Sequence, residues 1–453
     1  MSLKFSVVKS AGDMVSPAEQ TPGGELSLSV IDQLPGLRRK VQTLHFFQHG
    51  EKVAEVMRAA IAKAMVQYYP LAGRLKESGS GPGALVLECS GEGIWLVEAS
   101  VECNPKVEVA DLIDGSCEWG TTLLFDLLPH PPMDKDGFDP LVLMQVTTFP
   151  CNGYVIGLEF SHVICDGLGA AQFLGAVAEF ARGHVRLSIE PAWGREALLA
   201  KRNLSVSTAP PPQPPPPSDP DHSLKQATVD VHPTHIDELK REFLTQTGKT
   251  CSTFEVLTAS VWKSRTEAIA VDKDAEVVLV FFANVRPFLD PPLPRGFYGN
   301  CFFPVNVKAA AGKIRDGSLA DAVRHVQEAK SRVADEFKKW VDAGDGGAGG
   351  DPFLPPLAYT TLFVTEWGRL GFGGVDYGWG PPAYVMPIQY SNVVPGCVVA
   401  SPPTPRKGVR LITWCVRDAD LAAFCDGLVK KPARNGDRCP VFPVEHNDNE
   451  NLH

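Results

Sequence analysis

The chain has 453 residues, and 43 Lys plus Arg against 53 Asp plus Glu leave a formal charge of −10 with histidines neutral. With that sign and no Lys/Arg run there is no broad positive face for releasing counterions from nucleic acid or docking on anionic lipid, which excludes a polyanion-coating role. Hydrophobic residues at 44% and charged residues at 21% are ordinary globular usage, and the length exceeds what one core serves, so two domains are expected. The longest strongly apolar stretch, 277–285, is far shorter than the roughly 20 residues needed to cross a bilayer, so no membrane insertion is expected. The opening Met1 to Lys9 lacks the apolar region and cleavage site of a secretory signal, and the reading is a cytoplasmic protein. Eleven cysteines run from Cys89 to Cys439 without a C-x-x-C pair or a zinc-ligand cluster, so they are expected to be reduced, mostly buried, and to bind no metal.

In chain order, 52–69 places Val53, Val56, Ile61, Ala64 and Met65 at helical spacing, and Pro70 closes the segment. The runs 84–89, 141–146 and 154–160 are short, apolar or alternating, and read as strands. The last leads directly into Ser161-His162-Val163-Ile164-Cys165-Asp166-Gly167, followed by helical apolar spacing over 170–181. Residues 210–217 are almost all proline, which fixes φ and removes the amide donor, so they read as an exposed linker. A boundary is therefore drawn over 195–225, between an N-terminal domain at 1–194 and a C-terminal domain at 226–453. Beyond it, 234–244 reads as a surface helix, and Ser252-Thr253-Phe254-Glu255 opens another with a capping box. A strand is expected over 277–282, one long charged helix over 318–340, and a glycine-dense surface loop at 344–350. Strands alternating with helices in both halves predict an α/β fold.

Among the histidines, His162 stands at a strand end before a glycine-containing turn, where side chains face clefts. A packed core histidine is the commoner fate of such a residue, and spacing alone does not choose. Asp166 could orient the imidazole or turn away and pin the loop through a cation. Cys165 invites a thiolate reading, but packing accounts for it more simply, because residues 165 and 166 point in different directions. G-x-S-x-G, the Walker A loop and H-E-x-x-H are all missing, which removes the signatures of nucleophile-elbow hydrolases, P-loop enzymes and zinc proteases.

Three segments join His162-Val163-Ile164-Cys165-Asp166-Gly167: Tyr68 to Arg74, Ala283-Asn284-Val285-Arg286, and Asp376-Tyr377-Gly378-Trp379-Gly380. In this order the set resembles the plant BAHD acyltransferases, which carry H-x-x-x-D-G near mid-chain and D-F-G-W-G near the C-terminus. The resemblance extends from Leu26 to Trp414, with Tyr377 standing where the family has Phe. The opening Ile31 to Arg38 and Phe297-Tyr298-Gly299-Asn300-Cys301 are similar to grass enzymes that acylate monolignols with hydroxycinnamoyl groups.

The resemblance implies two chloramphenicol-acetyltransferase-like domains, each of mixed sheets flanked by helices, joined by a long crossover loop and enclosing a channel. It implies no tightly bound cofactor, a coenzyme A thioester as co-substrate, an alcohol as acceptor, and a monomer. His162 would be the catalytic base. Asp166, Gly167, Arg286 and Asp376 would support the site, and Trp379 would line the channel or donate to the oxyanion. The nucleotide of coenzyme A is assigned to Ser252, Thr253, Lys263 and Arg265, and the acceptor pocket to Thr43, His45 and Tyr390. The expected reaction transfers p-coumaroyl or feruloyl to a monolignol-type hydroxyl. The alternatives are acetyl, malonyl or benzoyl donors, an amine acceptor, or a silent coenzyme A-binding module.

Overall fold

Alternating apolar residues in each half of the chain give sheets with one face sealed by helices, and this pattern decides the architecture. The computed structural model describes residues 4–79, 83–104, 109, 113, 121–130, 140–198, 224–342, 351–388 and 394–428. The proline run, the glycine-dense stretch at 344–350 and Tyr390 lie outside the described residues.

The first half supplies β1 (Lys4–Lys9), β2 (Asp13–Val15), β3 (Glu25–Ser27), β4 (Lys40–Phe47), α1 (Val53–Gln67), β5 (Arg74–Glu77), β6 (Leu85–Glu88), β7 (Ile94–Asn104), α2 (Thr121–Asp126), β8 (Val142–Thr148), β9 (Tyr154–Ser161) and α3 (Gly167–Ala181). The second half supplies β10 (Leu224–Val231), α4 (Pro233–Thr247), α5 (Thr253–Ala268), β11 (Glu276–Asn284), β12 (Phe302–Ala310), α6 (Ala311–Asp316), α7 (Leu319–Ser331), α8 (Val333–Asp342), β13 (Thr361–Glu366), β14 (Tyr384–Pro387), β15 (Gly396–Ala400), β16 (Val409–Arg417) and α9 (Asp418–Leu428).

The first large sheet runs β1-β7-β8-β9-β4-β14, with β2 also on β7; the second runs β10-β16-β15-β13-β11-β12; β3-β6-β5 form a small third sheet. Both large sheets are mixed. The pairs β7/β8, β11/β13 and β13/β15 are parallel and the other ladders antiparallel. Helix α1 buries Val53, Met57, Ala60, Ile61, Ala64 and Met65, a stripe at spacings of three and four, and packs beside α3 over the first sheet. In the second half, α5 is buried along most of its length among α4, α7 and the second sheet.

Three expectations change. The single helix over 318–340 is two helices, broken at Arg332, whose N–H turns back to Ala329 O and Lys330 O. The break lets Phe337 and Trp340 swing onto Phe303, a gain that helical periodicity cannot register because charged residues cover both segments. The linker does not begin at residue 195, because Arg195–Leu198 form a short 3-10 helix in which Arg195 is fully buried. Nor is the division into two contiguous domains complete. Strand β14 pairs with β4 of the first sheet, and Phe372, Val375 and Tyr377 pack in the first half's core. In return Val30, Ile31, Leu34 and Leu37 pack in the second half's core. Among the described residues no helix is long and apolar enough to cross a membrane.

Candidate active site

Strand β9 is buried along its whole length, and its end delivers a turn at 162–164 and then the N-terminus of α3. Asp166 caps that helix, its Oδ1 accepting from Gly169 N–H at 3.0 Å. Gly169 is required there, because a Cβ would fall 1.9 Å from Tyr298 O. Arg286 grips the same carboxylate in fork geometry, with Nη1 at 2.9 Å from Oδ2 and Nη2 at 3.0 Å from Oδ1, and Cys301 N–H donates to Oδ2 at 3.1 Å. The partners of Asp166 are thus a helix end, a guanidinium and a main-chain amide of the other half. Asp166 bonds a cation, Arg286, across the turn. Gly167 lets Leu370 approach, since a Cβ there would sit 2.6 Å from Leu370 Cδ1.

His162 is held by its main chain. Its N–H donates to Arg39 O at 2.9 Å, and its carbonyl accepts from Asn300 Nδ2 at 2.7 Å. Asn300 Nδ2 also donates to Asp32 Oδ1 at 2.7 Å, and Asp32 Oδ2 accepts from Arg195 Nε at 2.8 Å. Arg195 Nη2 closes the set by donating to Ile164 O. Asp32 and Arg195 are both completely buried, so neither charge is tolerable without the other. The sequence marks Asp32 through its reciprocal bonds with Ser29, the pattern of a polar turn (2.9 and 3.1 Å). Arg195 and the bridging role of Asn300 carry no such local signal.

His162 as a residue is partly exposed, while its Nδ1 is buried without a partner. Burial, reinforced by the Arg39 cation, lowers its pKa to about 4, although its own backbone carbonyl, Asp166 and Asn300 pull the other way. The ring is therefore neutral at neutral pH and able to accept a proton. Burial pushes the neighbouring Cys165 thiol far above its ordinary range, which leaves no thiolate for nucleophilic attack. Among the described residues no group of His, Cys, Asp and Glu could hold a metal ion.

Other expected site residues fall elsewhere. Asp376 Oδ1 accepts from Gly378 N–H and Gly380 N–H, both at 2.8 Å, and Arg182 from the end of α3 donates to Asp376 O. Trp379 lies edge-on to Tyr154, with ring centroids 5.9 Å apart. Tyr154 opens β9 and His162 follows its end, so roughly 26 Å of strand separates them and the Trp379 indole cannot reach an oxyanion at His162. The sequence could not show this, because chain order carries no distance. Thr43 and His45 are buried on one face of β4 and bonded to each other at 2.9 Å, and His45 meets the Phe372 ring edge-on. Burial lowers the His45 pKa to about 3.

Ser252 and Glu255 form the expected capping box at the start of α5. The cations placed with them do not face a ligand. Arg265 is completely buried and donates to Cys415 O and Tyr359 O, and Lys263 donates to Ile314 O and Arg315 O and pairs with Glu267. Thr253 does border open space, a cleft of about 320 Å³ also lined by Asp237, Glu366, Arg369, Ser401 and Gly408. Arg369 is exposed there, and Lys240 reaches Thr253 Oγ1 at 3.1 Å.

The comparisons with known proteins agree with this architecture. The model of the family described as Transferase matches residues 5–426. "Acyl transferase 7" of Oryza sativa subsp. japonica is 39% identical over 435 residues, 92% of this chain and 96% of that protein. "Myricetin 3-O-glucosyl 1,2-rhamnoside 6'-O-caffeoyltransferase AT2" of Crocosmia x crocosmiiflora is 33% identical, over 94% of this chain and 99% of that one. The crystal structure of vinorine synthase superposes with a TM-score of 0.67 at 19% identity, covering 93% of this chain and 98% of that one, a likeness of fold. The chain belongs to the Transferase family, the BAHD acyltransferases, enzymes that take their acyl group from a coenzyme A thioester.

Proposed function

We propose that the protein transfers a hydroxycinnamoyl group, p-coumaroyl or feruloyl, from coenzyme A to the hydroxyl of a monolignol-type alcohol, with His162 as the general base. The observation that supports the mechanism is a neutral, partly exposed histidine whose main chain is held by Arg39 O of the first half and by the Asn300 side chain of the second. Nε2 accepts the hydroxyl proton as the acceptor oxygen attacks the thioester carbonyl. The resulting oxyanion collapses, the C–S bond breaks, and the departing thiolate takes the proton back from the imidazolium, leaving an ester and free coenzyme A. Proton transfer of this kind contributes about 10² to 10⁴ in rate. The depressed pKa keeps the base form available across the neutral range.

The cleft beside Thr253 is the donor's entrance in this reading, with Arg369 and Lys240 offering cations to its phosphates. From there Leu370 touches Gly167 and Phe372 touches His45, so one loop runs from the cleft to the seam that holds His162. The choice of a hydroxycinnamoyl donor is supported by the Crocosmia relative, whose name gives a caffeoyl group. A panel of p-coumaroyl-, feruloyl-, benzoyl-, acetyl- and malonyl-coenzyme A with coniferyl alcohol and an amine, followed by thiol release, tests the proposal. The expected result is the highest kcat/KM with a hydroxycinnamoyl donor and the alcohol. A preference for acetyl-coenzyme A or for the amine would replace this reading, and silence with tight donor binding would leave a binding module.

A further inference from the structure

Strand alternation sends Phe281 and Phe303 into the helix-covered core of the second half, and Phe282 and Phe302 to the opposite face of its sheet. The latter two remain open. Phe282 is 39% exposed and Phe302 partly exposed, their rings edge-on at 5.6 Å; Phe353, also partly exposed, lies 6.1 Å from Phe302 and anchors the corner to the core through Trp340 at 4.8 Å and Phe303 at 5.8 Å. Phe302 also faces His162, with ring centroids 6.0 Å apart and planes 53° apart. Partly exposed aromatic rings beside the imidazole offer apolar faces and edges, which favour a flat apolar group over a charged or hydrated one.

We infer that Phe282, Phe302 and Phe353 form the seat of an aromatic ring carried by the acyl group, and so select aromatic thioesters over small aliphatic ones. The inference rests on the acyl-transfer role of His162. The donor, not the acceptor, is assigned to the corner by sheet order. The Thr253 cleft is built on the ends of β13 and β15, and β11 and β12 follow β13 in the same sheet, with Asn284 opposite Phe302 at that end. Two to three strand spacings, about 10–14 Å, thus separate the cleft from the corner. A thioester entering at the cleft reaches the aromatic rings without leaving the second half. The polar strand segment at Thr43 and His45 belongs to the first half.

The test compares the full-length wild type with Phe302→Ala, Phe302→Leu and Phe282→Ala, using non-hydrolysable thioether analogues of p-coumaroyl- and acetyl-coenzyme A in calorimetry, together with steady-state kinetics. Phe282 is surface-facing, so its truncation leaves the core intact even if Phe302→Ala fails to fold. The expected result is a tenfold or greater fall in the ratio of p-coumaroyl to acetyl affinity for Phe282→Ala, and at least as large a fall for Phe302→Leu. An unchanged ratio, or a rise confined to the alcohol's KM, overturns the assignment. If His162→Ala keeps full turnover the catalytic reading fails instead, and the binding ratio still decides whether the corner seats the ring.

Discussion

At the scale of single residues, the proposed mechanism rests on His162, an imidazole that burial keeps from protonating near neutral pH. His162→Ala should fold with an unchanged melting temperature and lose turnover by about two to four orders of magnitude, measured as thiol release. Because burial holds its pKa at about 4, kcat/KM should stay level from neutral pH downward and fall only as pH approaches that value. An acid limb centred near 6.5 would contradict the buried geometry. The same shift has a stability consequence. Unfolded chain takes up protons on His162 and His45 near pH 6.5, whereas the folded protein does so only near 4 and 3, so the unfolded state binds more protons between these values. Stability therefore declines as pH falls through that window, and a thermal melt series from pH 7 to 4 should show it. Cys165→Ser should leave activity nearly intact, since burial keeps the thiol protonated, a result thiol release checks.

At the scale of elements, the end of β9 and the start of α3 are set by Asp166, which serves as helix cap and as ion-pair partner at once. Replacing it with Ala strands Arg286 in a largely buried position and should cost about 3–5 kcal/mol of stability, with a parallel loss of rate. An unchanged denaturation midpoint with slower catalysis alone would assign Asp166 to chemistry instead. The motif that begins at Asp376 is a turn, not a reactive group. Gly378 sits at φ 115°, a region that side chains avoid, and Gly378→Ala should destabilise by about 1–3 kcal/mol while leaving donor KM unmoved. Motif spacing made both elements visible, but distance along β9 is what removed Trp379 from the oxyanion.

At the scale of the whole molecule, the two halves exchange segments. Residues 30–37 pack in the second core, and Phe372 to Tyr377 and β14 return to the first. The turn that carries His162 lies where these exchanges meet, and Asp32, Arg195 and Asn300, each from a different stretch of chain, bond to it or to one another. Asp32→Ala leaves Arg195 buried and unpaired, and should lower the unfolding free energy by about 3–5 kcal/mol in a chemical denaturation series. Retention of wild-type stability would mean that the seam relaxes enough to hydrate the guanidinium.

Much of this was already written in the order of residues. Local chemistry is enough for the capping box at Ser252, the stripe of α1, the run of β9 into His162, and the motifs that mark the family. Those features depend on neighbours a few positions away, so the chain itself specifies them. Others needed the tertiary structure, because they join residues far apart in sequence. Pairing β14 with β4, burying Arg265, splitting the helix at Arg332 and tethering His162 O through Asn300 are decided by packing and by the satisfaction of buried polar groups. Neither leaves a periodic trace in one strand or helix, so the sequence singles out His162 and the fold decides what surrounds it.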